Sequence, residues 1–92
     1  MALLDRDEVV ARLGELDGWD LEGEAIVKQF DRGDFSGSVA LVVAIEPVAN
    51  AANHHPDISI SWATVTVMIT THSEGGLTAA DFDLAKEIDA LA

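Results

Sequence analysis

The sequence predicts an α+β domain of three helices and four strands in the order αββαββα, with a four-stranded antiparallel sheet carrying its helices on one face. Three observations lead there. Apolar residues recur at helical spacing in three separate segments, around residues 9–16, 35–49 and 84–91. Strand-like alternation fills two other stretches, around 19–31 and 58–71, each broken once by a turn signal. Strands arriving in such hairpins, between helices, build an antiparallel sheet. At 92 residues, the chain holds a single domain over 1–92, because two cores would not fit.

The first helix opens at Leu4-Asp5-Arg6-Asp7-Glu8. Asp5 is placed to cap it, Glu8 stands at capping-box spacing, and Leu4 can staple against Val9. Val9, Val10, Leu13 and Leu16 form its apolar face, and Gly18 ends it. Trp19-Asp20-Leu21 and Ala25 to Asp31 read as two strands joined at Glu22-Gly23. Lys28 and Gln29 make both faces of the second strand mixed, which suits an antiparallel sheet. After the break at Arg32-Gly33, Asp34 caps a second helix running to about Asn53. Phe35, Val39, Val42, Val43 and Ala49 are expected on its buried side. Pro47 removes the hydrogen bond to the Val43 carbonyl, a defect that costs about 3 kcal/mol in a straight helix and predicts a kink.

Ile58 to Thr71 is the strongest β signal in the chain. It exceeds the usual strand length, and its apolar parity switches near Ala63-Thr64, so a turn or bulge is expected there. Gly75-Gly76 ends the second strand of this pair. Thr78 then caps the last helix, with Asp81 at the capping-box position and Leu84, Ala85, Ile88 and Leu91 turned inward.

Composition removes several function classes. There is no cysteine, which excludes disulfides, thiolate metal sites and thiol catalysis together. Seventeen acidic against five basic residues give a net charge of −12, with no basic cluster for nucleic acid and repulsion from an anionic membrane. The longest unbroken apolar run, Val39 to Ile45, is far below the roughly 20 residues of a membrane span. No basic leader opens the chain, so a cytoplasmic location is expected. Between Phe35 and Ser73 the only charged side chains are Glu46 and Asp57, yet all three histidines lie in that interval.

Asn53-His54-His55-Pro56-Asp57 is the one constellation that composition does not explain. A helix ends there, two imidazoles stand side by side, and a proline restricts the exit. His72 closes the following hairpin, which can bring its end back beside its start. Imidazole is the side chain best suited to moving protons at neutral pH. Simpler roles compete: a His-His pair can cap helix carbonyls, Asp81 can serve as the capping-box partner of Thr78, and Trp62 can be a core or interface aromatic. Shared metal ligation by His54 and His55 is disfavoured, because adjacent side chains in an extended segment diverge.

These residues carry a resemblance. N-H-H-P-D at 53–57, T-V-T-V at 64–67, T-T-H at 70–72 and G-G-L-T at 75–78 followed by Asp81 resemble the pterin-4a-carbinolamine dehydratases. L-D-G-W at 16–19, A-I-V-K-Q-F at 25–30 and D-F at 34–35 extend the likeness over nearly the whole chain. The resemblance implies dehydration of a 4a-hydroxytetrahydropterin to quinonoid dihydropterin, in recycling of the tetrahydrobiopterin used by aromatic amino acid hydroxylases. It implies no metal and no organic cofactor, and a homodimer or homotetramer. It also implies His54 and His72 as the acid/base pair, in an order the sequence leaves open, with His55 positioning the pterin. Asn53, Pro56, Thr70, Thr71, Asn50 and Asp81 would complete the substrate site. Two features depart from the family pattern: Asn50 stands where a carboxylate is usual, one turn before His54, and Pro47 lies in the same helix. They keep open a second function, a non-catalytic pterin-binding, dimerisation or regulatory protein on the same scaffold.

Overall fold

The computed structural model describes residues 2–92. Its elements run α1 (Arg6–Leu13), β1 (Asp20–Glu22), β2 (Ala25–Asp31), α2 (Phe35–Ala52), β3 (Asp57–Ser61), β4 (Thr64–Ile69) and α3 (Ala79–Leu91), with one 3-10 turn at His72–Glu74. The strands form one antiparallel sheet in the order β1-β2-β4-β3. The expected α+β class and αββαββα order are both present.

Register and pleat assign the faces. Ile26 pairs with Ile69, Lys28 with Val67, Phe30 with Val65, and Ile58 with Val67. Of these, Ile26, Val65, Val67 and Ile69 are fully buried beneath the helices. Leu41, Ile45 and Ala49 of α2 and Phe82, Leu84, Ala85 and Ile88 of α3 complete the core. The opposite face presents Gln29, Thr64, Thr66, Met68 and Ser59. Two residues, Trp62 and Ala63, separate β3 from β4, so the parity switch in the sequence is a tight turn.

Several local expectations shift. The first helix ends at Leu13 with Gly14 as its cap, not at Gly18, and Val10 is 56% exposed. The β1–β2 turn lies one residue later than expected, with Gly23 at φ 60. α2 runs through Pro47 as one 18-residue helix. Leu91 is exposed, while Phe82 is buried.

The largest correction concerns the face of α2. Phe35, Val39 and Val43, expected inside, are 57%, 39% and 62% exposed, whereas Ser38, Leu41 and Ile45 are buried. Small residues set the rotation. A Cβ at Gly37 would lie 2.2 Å from the Arg32 carbonyl oxygen, an approach that only glycine permits. Beside it, the Ser38 hydroxyl donates to the Trp62 carbonyl at 2.6 Å. Asp34, as expected, caps this helix by accepting from the Gly37 N–H.

Candidate active site

The end of α2 is built by the residues that follow Ala52. Asn53 adopts the left-handed conformation, φ 49 and ψ 41, which asparagine tolerates better than most side chains. The Asn53 N–H then donates to the Asn50 carbonyl, and the His54 N–H to the Ala49 carbonyl, closing a Schellman motif. The chain leaves the helix axis here, and Asp57 begins β3.

That exit settles the partners of the two adjacent imidazoles. His54 Nε2 lies 2.5 Å from Asp81 Oδ1, while His55 Nε2 lies 3.0 Å from Asn50 Oδ1 at the surface. The expectation that position 50 touches His54 is therefore corrected. The i,i+4 relation holds only inside a helix, and the left-handed Asn53 takes His54 out of it.

Asp81 is fully buried, as is Thr78, and Thr71 is nearly so. Its Oδ2 accepts from the Thr78 backbone N–H and from Thr71 Oγ1, both at 2.8 Å. The two threonine hydroxyls meet at 3.0 Å. The capping box read from the sequence is thus present, and the same carboxylate also holds an imidazole 27 residues away. Three partners meet the buried carboxylate, one on Oδ1 and two on Oδ2, which is what burial of such a group demands.

A cleft of about 150 Å³ opens over this network, lined by His54 and Asn53 on one side, Thr71, Ser73 and Glu74 on another, and Ala80 below. Of the residues expected in the site, Asn53, His54 and Thr71 reach its wall, and Asp81 supports it from beneath. His55, Asn50, Pro56, Thr70 and His72 do not line it. Thr70 instead donates its hydroxyl to the Glu24 carbonyl, tying β4 to the β1–β2 turn. The His72 side chain is 79% exposed, with Nε2 at 3.9 Å from Asp57 Oδ2, and its chain neighbours Thr71 and Ser73 both line the cleft. The sequence reading missed Ser73, Glu74 and Ala80. Gly75, in left-handed conformation after one 3-10 turn, was the available signal that the chain folds back over the cleft here.

A second depression of about 200 Å³ lies between the N-terminal segment and the β1–β2 turn, walled largely by Leu3, Leu4, Leu21 and Leu77. It contains no imidazole.

Residues 2–91 match the family described as pterin 4 alpha carbinolamine dehydratase. The chain belongs to this family. A provisionally named pterin-4-alpha-carbinolamine dehydratase of Roseiflexus castenholzii is 49% identical over 88 residues, 96% of this chain and 95% of that one. One of Sulfolobus acidocaldarius, named in the same way, is 43% identical over 86 residues, 94% of each chain. Among solved structures, a transcriptional coactivator/pterin dehydratase from Brucella melitensis superposes with a TM-score of 0.93 at 33% identity, covering 99% of both chains. A pterin dehydratase-like protein identified as a RuBisCO assembly factor in the alpha-carboxysome shares the fold, with a TM-score of 0.66 at 21% identity over 80% of this chain and 86% of that one. In dehydratase terms, the N-H-H-P segment places one histidine inside the cleft and one outside it.

Proposed function

We propose that the protein dehydrates a 4a-hydroxytetrahydropterin to quinonoid dihydropterin, with histidines moving both protons. The observation that carries this reading is His54 Nε2 held 2.5 Å from the buried Asp81 carboxylate at the wall of a cleft. A contact that short between a ring nitrogen and a carboxylate oxygen needs a proton between them. With Asp81 ionised, Nε2 carries that hydrogen, and Nδ1 of a neutral ring keeps its lone pair for the substrate. His54 is then the base. His72, in water and flanked by two cleft residues, is the acid.

In the reaction the 4a hydroxyl takes a proton from the acid and leaves as water. The N5 lone pair closes the C4a=N5 double bond, and a ring N–H gives its proton to the base. One proton enters and one leaves, so the protein is restored by exchange with solvent, with no redox step. Asn53 and Thr71 line the ring, His55, fixed to Asn50 outside the cleft, positions the part of the pterin that projects from it, and Pro56 holds the exit of the segment. The same reading places the protein in the cytoplasm and in tetrahydrobiopterin recycling, downstream of a hydroxylase that leaves the pterin as its carbinolamine.

A homodimer or homotetramer is part of the proposal. β3 is an edge strand whose only charge is Asp57, so its free backbone groups are open to pairing, whereas the β1 edge carries Asp20 and Glu22. The exposed Phe35, Val39 and Val43 recur every four residues and make one apolar stripe along α2. Light scattering after size exclusion should give a multiple of the chain mass, and a clean monomer at micromolar concentration would remove this part.

That apolar stripe also favours the second reading, a non-catalytic binding or regulatory protein. The deciding assay is dehydration of synthetic 4a-hydroxytetrahydropterin against its spontaneous loss of water, with His54→Ala alongside. Acceleration that disappears in His54→Ala supports the enzyme, and no acceleration by the wild type leaves the binding protein.

A further inference from the structure

Glu74 is the unassigned acid at the cleft. It sits in the 3-10 turn that closes over the cleft, beside Ser73 and across the chain reversal from Thr71. Asp81, directly beneath, has both oxygens committed to His54, Thr71 and Thr78. Among the residues lining the cleft, Glu74 supplies the only carboxylate, and among the described residues no side chain binds it.

We infer that Glu74 determines substrate specificity by accepting the amino-pyrimidinone edge of the pterin. The inference rests on the pterin reading above and adds which edge of the ring is recognised, and by what. A pterin presents two parallel donors on that edge, the 2-amino group and N3–H. A carboxylate presents two parallel acceptors, and such bidentate, charge-assisted pairs are the strong ones. The arrangement divides the labour of the cleft: proton transfer at His54, recognition at Glu74. It also discriminates by chemistry. A ring with oxygen at C2 presents an acceptor to the carboxylate, and this unpaired, repelling contact lowers affinity more than a missing bond does.

The test uses 7,8-dihydropterin and its 2-oxo counterpart, 7,8-dihydrolumazine, as non-reacting ligands of the full chain, with dehydration kinetics run in parallel. The wild type should prefer dihydropterin by about 10- to 100-fold, the scale of a hydrogen-bonded charged contact. Glu74→Gln and Glu74→Ala should bring that preference close to unity and raise KM for the carbinolamine by a similar factor, with a smaller effect on kcat. Glu74 lies on an exposed turn, and an unchanged melting curve would show that the variants fold. If the wild type turns over the carbinolamine and both variants keep its KM and its ligand preference, the inference is overturned while the dehydratase reading stands. A Glu74-dependent preference without turnover supports the inference and removes the dehydratase. Binding of neither ring, with no turnover of the carbinolamine, overturns both.

Discussion

Two aspartates anchor opposite ends of α3, and they differ in what their partners can do next. Asp89, in the last turn, accepts from Trp19 Nε1 at 3.0 and 3.1 Å and from Lys28 Nζ at 2.9 Å. Lys28 also donates to the Asp17 carbonyl and lies 4.9 Å over the Phe30 ring, itself edge-on to Trp19. Asp81, in the first turn, accepts from His54, Thr71 and Thr78. Both satisfy a carboxylate with several donors, and both join elements far apart in the chain. An indole nitrogen only donates, and an ammonium has no acceptor, so the Asp89 cluster ends in itself. An imidazole has a second nitrogen, so the Asp81 network continues into the cleft. The same device makes a clamp at one end and orients an imidazole at the other.

The comparison sets expectations of decreasing size. His54→Ala should lower the dehydration rate by about 100-fold or more, the scale of a lost general base, and should also cost about 1–3 kcal/mol of stability because the buried Asp81 loses a partner. A wild-type rate in that variant would show that the Asp81 end, too, is merely structural. His72→Ala should cost a similar factor, and His55→Ala should raise KM more than it lowers kcat; steady-state kinetics of both variants decide. Asp81→Asn keeps the shape but replaces one acceptor oxygen with a donor. Loss of about tenfold or more in kcat is expected together with reduced stability, since an amide has one acceptor oxygen and cannot accept from His54 on one side and from the Thr78 N–H and Thr71 hydroxyl on the other. The ring 15N chemical shifts of His54, which report the nitrogen that carries the hydrogen, should change in this variant.

Asp89→Ala should do the reverse. Loss of a charged partner for Lys28 and Trp19 is worth about 1–3 kcal/mol of stability, with kcat and KM unchanged. Thermal melts beside kinetics test it, and a fall in kcat at intact fold would mean the two ends are coupled. The smallest effect is expected at Asn53. Asn53→Gly should be nearly neutral, while Asn53→Val should cost about 1–2 kcal/mol, because a β-branched residue resists the left-handed conformation. If valine is accepted without loss, the Schellman exit is not what aims His54.

Much of this architecture was legible in the chain itself. The caps at Asp5, Asp34 and Thr78, the two hairpins and the order of elements are local signals, each written within a few residues. The motif at 53–57 also marked the candidate site, because two imidazoles after a helix inside a charge-poor stretch are chemically conspicuous. What the tertiary structure alone decided are the choices local pattern leaves degenerate. α2 is apolar on more than one side, so periodicity could not select its buried stripe; close approach of Gly37 to Arg32 and the Ser38 bond to Trp62 selected it. Asp81 reads as a helix cap from sequence, and only the folding of the α2 exit onto the start of α3 brings His54 to its other oxygen. Asn50 reads as a neighbour of His54 and is a neighbour of His55 instead, because one left-handed residue ends the helical geometry on which that reading depended. Backbone capping and alternation act over a few residues and are visible in one dimension. The pairing of His54 with Asp81, and the place of Glu74 at the cleft, depend on where separate elements pack, which no local signal encodes.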